Sequence, residues 1–258
     1  MNRLKGKIAF ITGASSGIGK ACAFSLAEQG VNLIISARRV NVIEKISEEI
    51  KEKFSVKVYS IKLNVKDRKD VEWAVNSLPE EWKNIDILVN NAGLAKGMNK
   101  FYEDDINNWE EMIDTNIKGL LYVSKAIITG MVERESGHII NIGSTAGHEV
   151  YPKGHVYSAT KHAVNAITKS LRIDLIDKNI RVSTVDPGAV ETNFSNVRFF
   201  GDKEKAKNMY KGIIPLVAED VAEAVVFCAN RPEHANIAEI IMMPSQQASA
   251  LVFHRDEN

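Results

Sequence analysis

Tyr157 and Lys161 stand four residues apart in the run Tyr157-Ser158-Ala159-Thr160-Lys161, and Ser144 lies thirteen residues upstream. Residues i and i+4 share one face of a helix, so a phenol and an ammonium would project side by side. A free tyrosine titrates near ~10, and an adjacent positive charge favours the phenolate, bringing the group toward acid/base work near neutrality. A hydroxyl at Ser144 could then hold the oxygen of a reacting group. Taken alone, a Tyr-x-x-x-Lys pair also fits an ordinary solvated helix face. The elements around it decide between the two readings.

Short apolar runs rich in β-branched residues, at 7–12, 32–36, 57–63, 85–90, 138–142, 180–185 and 237–243, alternate with stretches of helical length and period. The helical stretches are 18–29, 40–53, 66–77, 107–129, 156–177 and 219–229. The apolar runs are nearly continuous, which suits strands covered on both faces. Repeated β-α-β units predict an α/β fold, a doubly wound, Rossmann-like parallel sheet of about seven strands with helices on both faces. No linker, repeat or low-complexity tract divides the chain, so one domain over 1–258 is expected. The longest irregular stretch, 187–216, carries a short helical pattern near 203–210 and has the length of a lid or substrate-binding segment.

Between the first strand and the first helix the sequence reads Thr12-Gly13-Ala14-Ser15-Ser16-Gly17-Ile18-Gly19. Gly13 permits a tight turn, Gly17 a close approach by a phosphate, and Gly19 close packing of helix on strand. Exposed amides at the helix start make an anion site, so this is read as a nucleotide turn, although the spacing is Gly-x-x-x-Gly-x-Gly and not Gly-x-Gly-x-x-Gly. After the second strand, where a carboxylate would select NAD, stand Arg38 and Arg39. Two guanidiniums suit a 2'-phosphate, which favours NADP; the plainer reading is a pair of solvated cations starting a helix.

Composition narrows the classes. Lys and Arg total 33 and Asp and Glu total 33, so no net charge marks a nucleic-acid or anionic-membrane surface. Cys22 and Cys228 match neither a zinc spacing nor a disulfide framework and read as buried, inert thiols. No apolar run reaches membrane length, and residues 1–13 run into glycines before a signal-like core develops. A cytoplasmic location is the expectation. No metal-ligand spacing is present, and no metal is expected. His148 and His155 read as lining or turn residues.

With these parts in place, the chain resembles the short-chain dehydrogenase/reductase family from Lys7 to about Pro244. The motifs agree in order: residues 12–19, Asn90-Asn91-Ala92-Gly93, Asn116 within a helix, Ser144, Tyr157 with Lys161, and Pro187-Gly188 after the sixth strand. Stretches 84–98, 131–147 and 194–202 look like its branch of NADP-dependent 3-hydroxy acid dehydrogenases, which includes serine dehydrogenases and malonic semialdehyde reductases. The resemblance implies that Asn116, Ser144, Tyr157 and Lys161 are catalytic, with Asn116 keeping a water near the lysine. It implies cofactor contacts from Gly13, Ser15, Ser16, Gly17, Ile18 and Gly19, and from Arg38 and Arg39. Asn91, Ala92 and Gly93 would line the adenosine ribose, Tyr157 and Lys161 the nicotinamide ribose, and Pro187, Gly188, Val190 and Thr192 the nicotinamide. One departure stands out. Where the family has Asp-Val or Asp-Leu beside adenine, this chain has Asn64-Val65, which retains a side-chain acceptor.

The expected reaction is reversible hydride transfer between NADP and a small 3-hydroxy acid such as serine or 3-hydroxypropionate, with Tyr157 as acid/base and Ser144 steadying the substrate oxygen. Arg198, a charge amid apolar residues in 194–199, is either a carboxylate clamp or a surface arginine. Another small alcohol or carbonyl substrate is the alternative within this class. A catalytically silent NADP-binding redox sensor is the alternative outside it, and it would have no need of all four catalytic residues. The resemblance further implies a homotetramer formed through helices 107–129 and 156–177, in which Val164, Ile167 and Leu171 offer apolar surface.

Overall fold

Successive residues of a strand face opposite sides of a sheet, and in β1 (Ile8–Thr12) both sides are apolar. In the computed structural model, which describes residues 2–256, Ala9 and Ile11 enter one hydrophobic core and Phe10 the other. β2 (Asn32–Ala37) repeats the pattern with Leu33 and Ile35 against Ile34. The remaining strands are β3 (Val58–Lys62), β4 (Ile87–Asn90), β5 (Gly137–Ile142), β6 (Ile180–Pro187) and β7 (Glu239–Met242). All pair in parallel, in the order β3-β2-β1-β4-β5-β6-β7. This is the expected doubly wound sheet. Residues 1, 257 and 258, the ends of the expected domain, lie outside the described residues.

In chain order the helices are α1 (Gly17–Glu28), α2 (Val40–Lys53), α3 (Arg68–Asn76), α4 (Ile106–Ile113), α5 (Leu120–Glu133), α6 (His155–Asp174), α7 (Asn193–Arg198), α8 (Lys203–Asn208) and α9 (Ala218–Ala229). Leu26 of α1, Ile43, Ile46 and Ile50 of α2, and Val221 and Val225 of α9 cover one face of the sheet. Val71 of α3 and Val123, Ile127 and Met131 of α5 cover the other, with Leu171 of α6 packed beside them. Each fully buried side chain of this size contributes about 1.5–3 kcal/mol relative to exposure. Cys22 and Cys228 are free and buried, and burial raises their thiols to about 12 and about 11.

Two segments depart from the sequence expectation. The helix expected over 107–129 is interrupted by a π-helical turn, Asp114–Gly119, between α4 and α5. The turn swings Asn116 inward, and a Cβ on Gly119 would come within 2.7 Å of Val65 Cγ2, so only glycine allows this approach. The stretch 187–216 is more ordered than expected. α7 precedes the anticipated short helix, and a parallel bridge between Val190 and Leu216 ties its two ends.

The strand order reverses between β1 and β4, so the connections leaving their carboxyl ends diverge and open a crevice. Gly19 sits where α1 crosses this edge. A Cβ there would collide with Asn91 Nδ2 and stand 2.5 Å from the Gly13 carbonyl oxygen. Gly19→Ala is therefore expected to cost about 1–3 kcal/mol by overpacking, read as a lowered urea midpoint with an unchanged slope.

Candidate active site

Strand β1 ends at Thr12, whose hydroxyl accepts the Asn91 and Ala92 amides at 3.0 Å each. Asn91 Nδ2 donates in return to the carbonyls of Thr12 (2.9 Å) and Gly13 (3.3 Å). These bonds fasten the end of β4 to the glycine turn. Gly13 and Gly17 adopt left-handed φ of 67° and 54°, and Gly17 faces the Thr192 side chain, which a Cβ would approach to 3.3 Å. Ser16 precedes α1 without a side-chain capping bond, which leaves first-turn amides available to an anion. Arg39 Nη2 donates to Ser15 Oγ (2.9 Å) and Ser16 Oγ (3.4 Å), holding an exposed guanidinium over the turn. A turn closed to side chains at Gly13 and Gly19, free amides and a guanidinium at its rim together fit a dinucleotide phosphate.

Arg38 is exposed. Asn64 is partly buried, its amide donates to Asp70 Oδ2 (2.6 Å), and its side-chain oxygen lies 3.4 Å from the Lys66 amide. Val65 packs under Gly119.

Across the crevice, Ser144 follows β5 and opens a short 3₁₀ turn, its Oγ accepting the Ala146 amide at 3.1 Å. The Gly147 carbonyl of that turn is bonded by Asn165 Nδ2 of α6 (3.1 Å). Helix α6 carries Tyr157 and Lys161 on one face, with Lys161 Nζ 5.9 Å from the Tyr157 ring centroid and donating to the Ile142 carbonyl at 2.9 Å. Asn116 is buried. Its Nδ2 donates to the Leu94 carbonyl (2.8 Å) and Thr160 Oγ1 (3.0 Å), and its Oδ1 accepts the Leu94 amide (2.9 Å).

A cavity of about 680 Å³ runs from Gly13, Ser16, Gly17 and Ile18, past Asn91, Ala92 and Gly93, to Ser144, Tyr157 and Lys161. Pro187, Gly188, Val190, Thr192 and Arg198 line its far wall. Ser15, Gly19, Arg38, Arg39, Asn64, Val65 and Asn116 stand outside that lining. Thr192 also caps α7, accepting the Phe194 amide at 3.2 Å.

Arg198 is not a surface residue: it is 6% exposed. Its Nη2 donates to the Tyr151 hydroxyl (2.7 Å), its Nε lies 3.3 Å from the Gly97 carbonyl, and its guanidinium stands 5.7 Å from the Tyr157 ring centroid. Tyr151 was not singled out by sequence, nor was Tyr210, whose hydroxyl donates to the Val190 carbonyl (2.8 Å) and meets Ser195 Oγ (2.6 Å). Leu251, Phe253 and Arg255 of the C-terminal tail also line the cavity, and Arg255 bonds to the Lys211 and Met209 carbonyls. These residues carry no local signal, because isolated tyrosines and a terminal segment have no spacing to read.

The electrostatics differ from the simple pairing expected of Tyr157 and Lys161. Burial pushes the Tyr157 phenol above the ordinary tyrosine range and Tyr151 adds to the rise, while the Ser144 hydroxyl and the Arg198 guanidinium pull it down. Burial lowers the Lys161 ammonium to about 8, against an upward pull from Asp186. Lys161 points its charge at a backbone carbonyl, and removal from water outweighs its effect on the phenol.

A family model described as short chain dehydrogenase matches residues 7–200. The NADP-dependent 3-hydroxy acid dehydrogenase of Schizosaccharomyces pombe is 45% identical over 258 residues, covering 100% of both chains. Sulfoacetaldehyde reductase 2 of Chromohalobacter salexigens is 41% identical over 251 residues, 96% of this chain and 99% of that protein. The solved closed form of serine dehydrogenase complexed with NADP+ matches with a TM-score of 0.91 and 45% identity, over 96% of this chain and 100% of that chain.

Asn116 fastens the segment after β4 to α6 through three bonds in a buried setting. Asn116→Ala leaves the Leu94 amide and carbonyl without these partners and is expected to cost about 1–3 kcal/mol, measured by urea denaturation.

Proposed function

Because the chain belongs to the short chain dehydrogenase family, we propose that it is an NADP-dependent oxidoreductase. It reversibly transfers a hydride between NADP and the hydroxyl carbon of a small 3-hydroxy acid such as serine or 3-hydroxypropionate. The observation that carries this reading is the single cavity in which Ser144, Tyr157 and Lys161 meet a buried arginine, Arg198, opposite the glycine turn. A redox cofactor held at the glycine turn would leave the acid/base pair between it and Arg198.

The glycine-turn amides and Ser15 would hold the cofactor diphosphate, and Arg39, assisted by Arg38, would pair with the 2'-phosphate. Asn64 and Val65 would flank adenine, Asn91 to Gly93 the adenosine ribose, Lys161 and Tyr157 the nicotinamide ribose, and Pro187, Gly188, Val190 and Thr192 the nicotinamide. When bound, the nicotinamide supplies the carbon that gives or takes the hydride. In reduction, Tyr157 enters as a neutral phenol and donates its proton to the substrate carbonyl oxygen, while the Ser144 hydroxyl holds that oxygen. In oxidation the alcohol proton moves to the Tyr157 oxygen, and the cationic Arg198 and Lys161 stabilise the phenolate that receives it. Asn116 spends its side chain on Leu94 and Thr160, so any part in holding a relay water falls to its backbone within the π turn.

Arg198, its Nε and Nη2 engaged by Gly97 and Tyr151, offers its remaining N–H groups to a substrate carboxylate. A sulfonate aldehyde is the second reading, since one relative is named sulfoacetaldehyde reductase 2 and the same clamp suits either anion. The segment 187–216 closes over the substrate. Cytoplasmic homotetramers complete the proposal. Leu121 of α5 and Ile173 of α6 are exposed apolar residues on the helices expected to pair, whereas Val164 is buried and Leu171 packs against the core. No described helix is long and apolar enough to cross a membrane.

The deciding experiment is nicotinamide absorbance with NADP or NAD against a panel of 3-hydroxy acids, sulfonated alcohols and neutral alcohols. Silence across the panel would favour a redox sensor. Tyr157→Phe is expected to lower turnover by about 10²–10⁴-fold while fluorescence titration still reports NADP binding; full activity would sink the assignment. Arg198→Ala should raise the apparent KM for 3-hydroxy acids by roughly 10- to 100-fold, the loss of a charge-assisted bond of about 1.5–3 kcal/mol, and leave the KM for neutral alcohols little changed, while the lost support of the Tyr157 phenolate lowers turnover on both classes. Equal KM increases on both classes would refute the clamp.

A further inference from the structure

Behind Lys161, the ends of β5 and β6 enclose a carboxylate that the reaction as described does not use. Asp186 is fully buried, with Thr184 Oγ1 donating to its Oδ1 (2.6 Å) and His148 Nε2 2.8 Å from its Oδ2. A side chain on Gly143 would overlap Asp186 Oδ1. The preceding carbonyl, that of Ile142, is the one that accepts Lys161 Nζ at 2.9 Å. Carboxylate and ammonium therefore both abut one planar peptide group, Ile142–Gly143, the first at the Gly143 Cα and the second at the Ile142 carbonyl oxygen.

The groups facing this pair come from three more places. Glu239 of β7 has Oε1 3.7 Å from His148 Nε2. Asn165 of α6 has Nδ2 3.2 Å from the same nitrogen. The 3₁₀ turn that Asn165 grips carries Ser144 at its start and His148 at its end. One connected structure thus links the substrate-holding hydroxyl, the carboxylate and the lysine.

We infer that Asp186 is a positioning residue of the reaction, a buried counter-charge bonded by His148 and Thr184 that keeps Lys161 an ammonium beside Tyr157. The inference rests on the dehydrogenase reading of Tyr157 and Lys161. Its electrostatic sense is consistent from both sides. Burial draws Lys161 down, and Asp186 is the charge that draws it back up. Burial, with Glu239 adding to it, holds the Asp186 carboxyl above the usual carboxylate range, and the bonds from Thr184 and His148 pull it part of the way back, so His148 favours the carboxylate. Without the Asp186 charge the Lys161 midpoint falls from about 8, and the amine turns neutral in the range where the enzyme would work.

Competitive acetylation of the lysines with acetic anhydride, read by mass spectrometry over roughly pH 6 to 11, measures the Lys161 amine directly. In Asp186→Asn, an isosteric change, the Lys161 midpoint is expected to fall by about one unit, a tenfold gain in neutral amine at a given pH. His148→Ala, at a side chain that is a quarter exposed, should move it in the same direction by less and serves if Asp186→Asn does not fold. The half-buried Lys20, paired with Glu49 in another part of the molecule, should be acetylated alike in every variant. An unmoved Lys161 midpoint in the folded variants overturns the inference. The readout is independent of turnover: a shifted midpoint in a protein silent on the substrate panel would sink the proposed function and leave the counter-charge standing.

Discussion

Backbone carbonyls at the carboxyl edge of a parallel sheet need donors, and this requirement organises the protein. Inside the sheet each strand is paired by its neighbours, but beyond the last paired residue the carbonyls face a crevice with no strand to receive them. Side chains finish the job here. Asn91 serves Thr12 and Gly13, Asn116 serves Leu94, Lys161 serves Ile142, and Tyr210 serves Val190. The side chains that complete the sheet edge are therefore also those that line or brace the cavity. Moving any one of them would leave a buried carbonyl unpaired as well as a site disordered.

The same burial sets the chemistry. Taking a lysine out of water weakens its charge, and taking a tyrosine out of water makes its phenol harder to ionise. Local partners offset these costs in opposite senses. Arg198 and Ser144 ease ionisation of Tyr157, and Asp186 supports the charge on Lys161. Arg198 has a second task, since it bridges Tyr151 and Gly97 and so ties α7 to the loop after β4. Chain fold and charge balance are thus held by the same few contacts.

Much of this was legible in the residues. Strand positions follow from apolar runs that must be covered on both faces, as β1 and β2 illustrate by dividing their side chains between two cores. The Gly13 to Gly19 turn and the Tyr157–Lys161 spacing are local, and local geometry is what a sequence encodes most directly. The π turn was not legible, because Met112, Leu120, Val123 and Ile127 keep an apolar helical rhythm on both sides of it. Nor was the burial of Arg198: a lone charge in a short apolar segment carries no record of what will cover it.

The sequence by itself determined the alternation of strands and helices, the anion-binding turn, and the juxtaposition of a phenol and an amine four residues apart. Those depend on bond geometry and on periods of two and 3.6 residues, which act within a few positions. Only the tertiary structure decided that His148, Asp186 and Glu239 converge behind Lys161, that Tyr151 meets Arg198, and that residues 251–255 return to the cavity wall. These contacts join segments from different strands, loops and the tail. Their strength comes from exclusion of water, which no single segment can achieve before the sheet and its helices have closed around it.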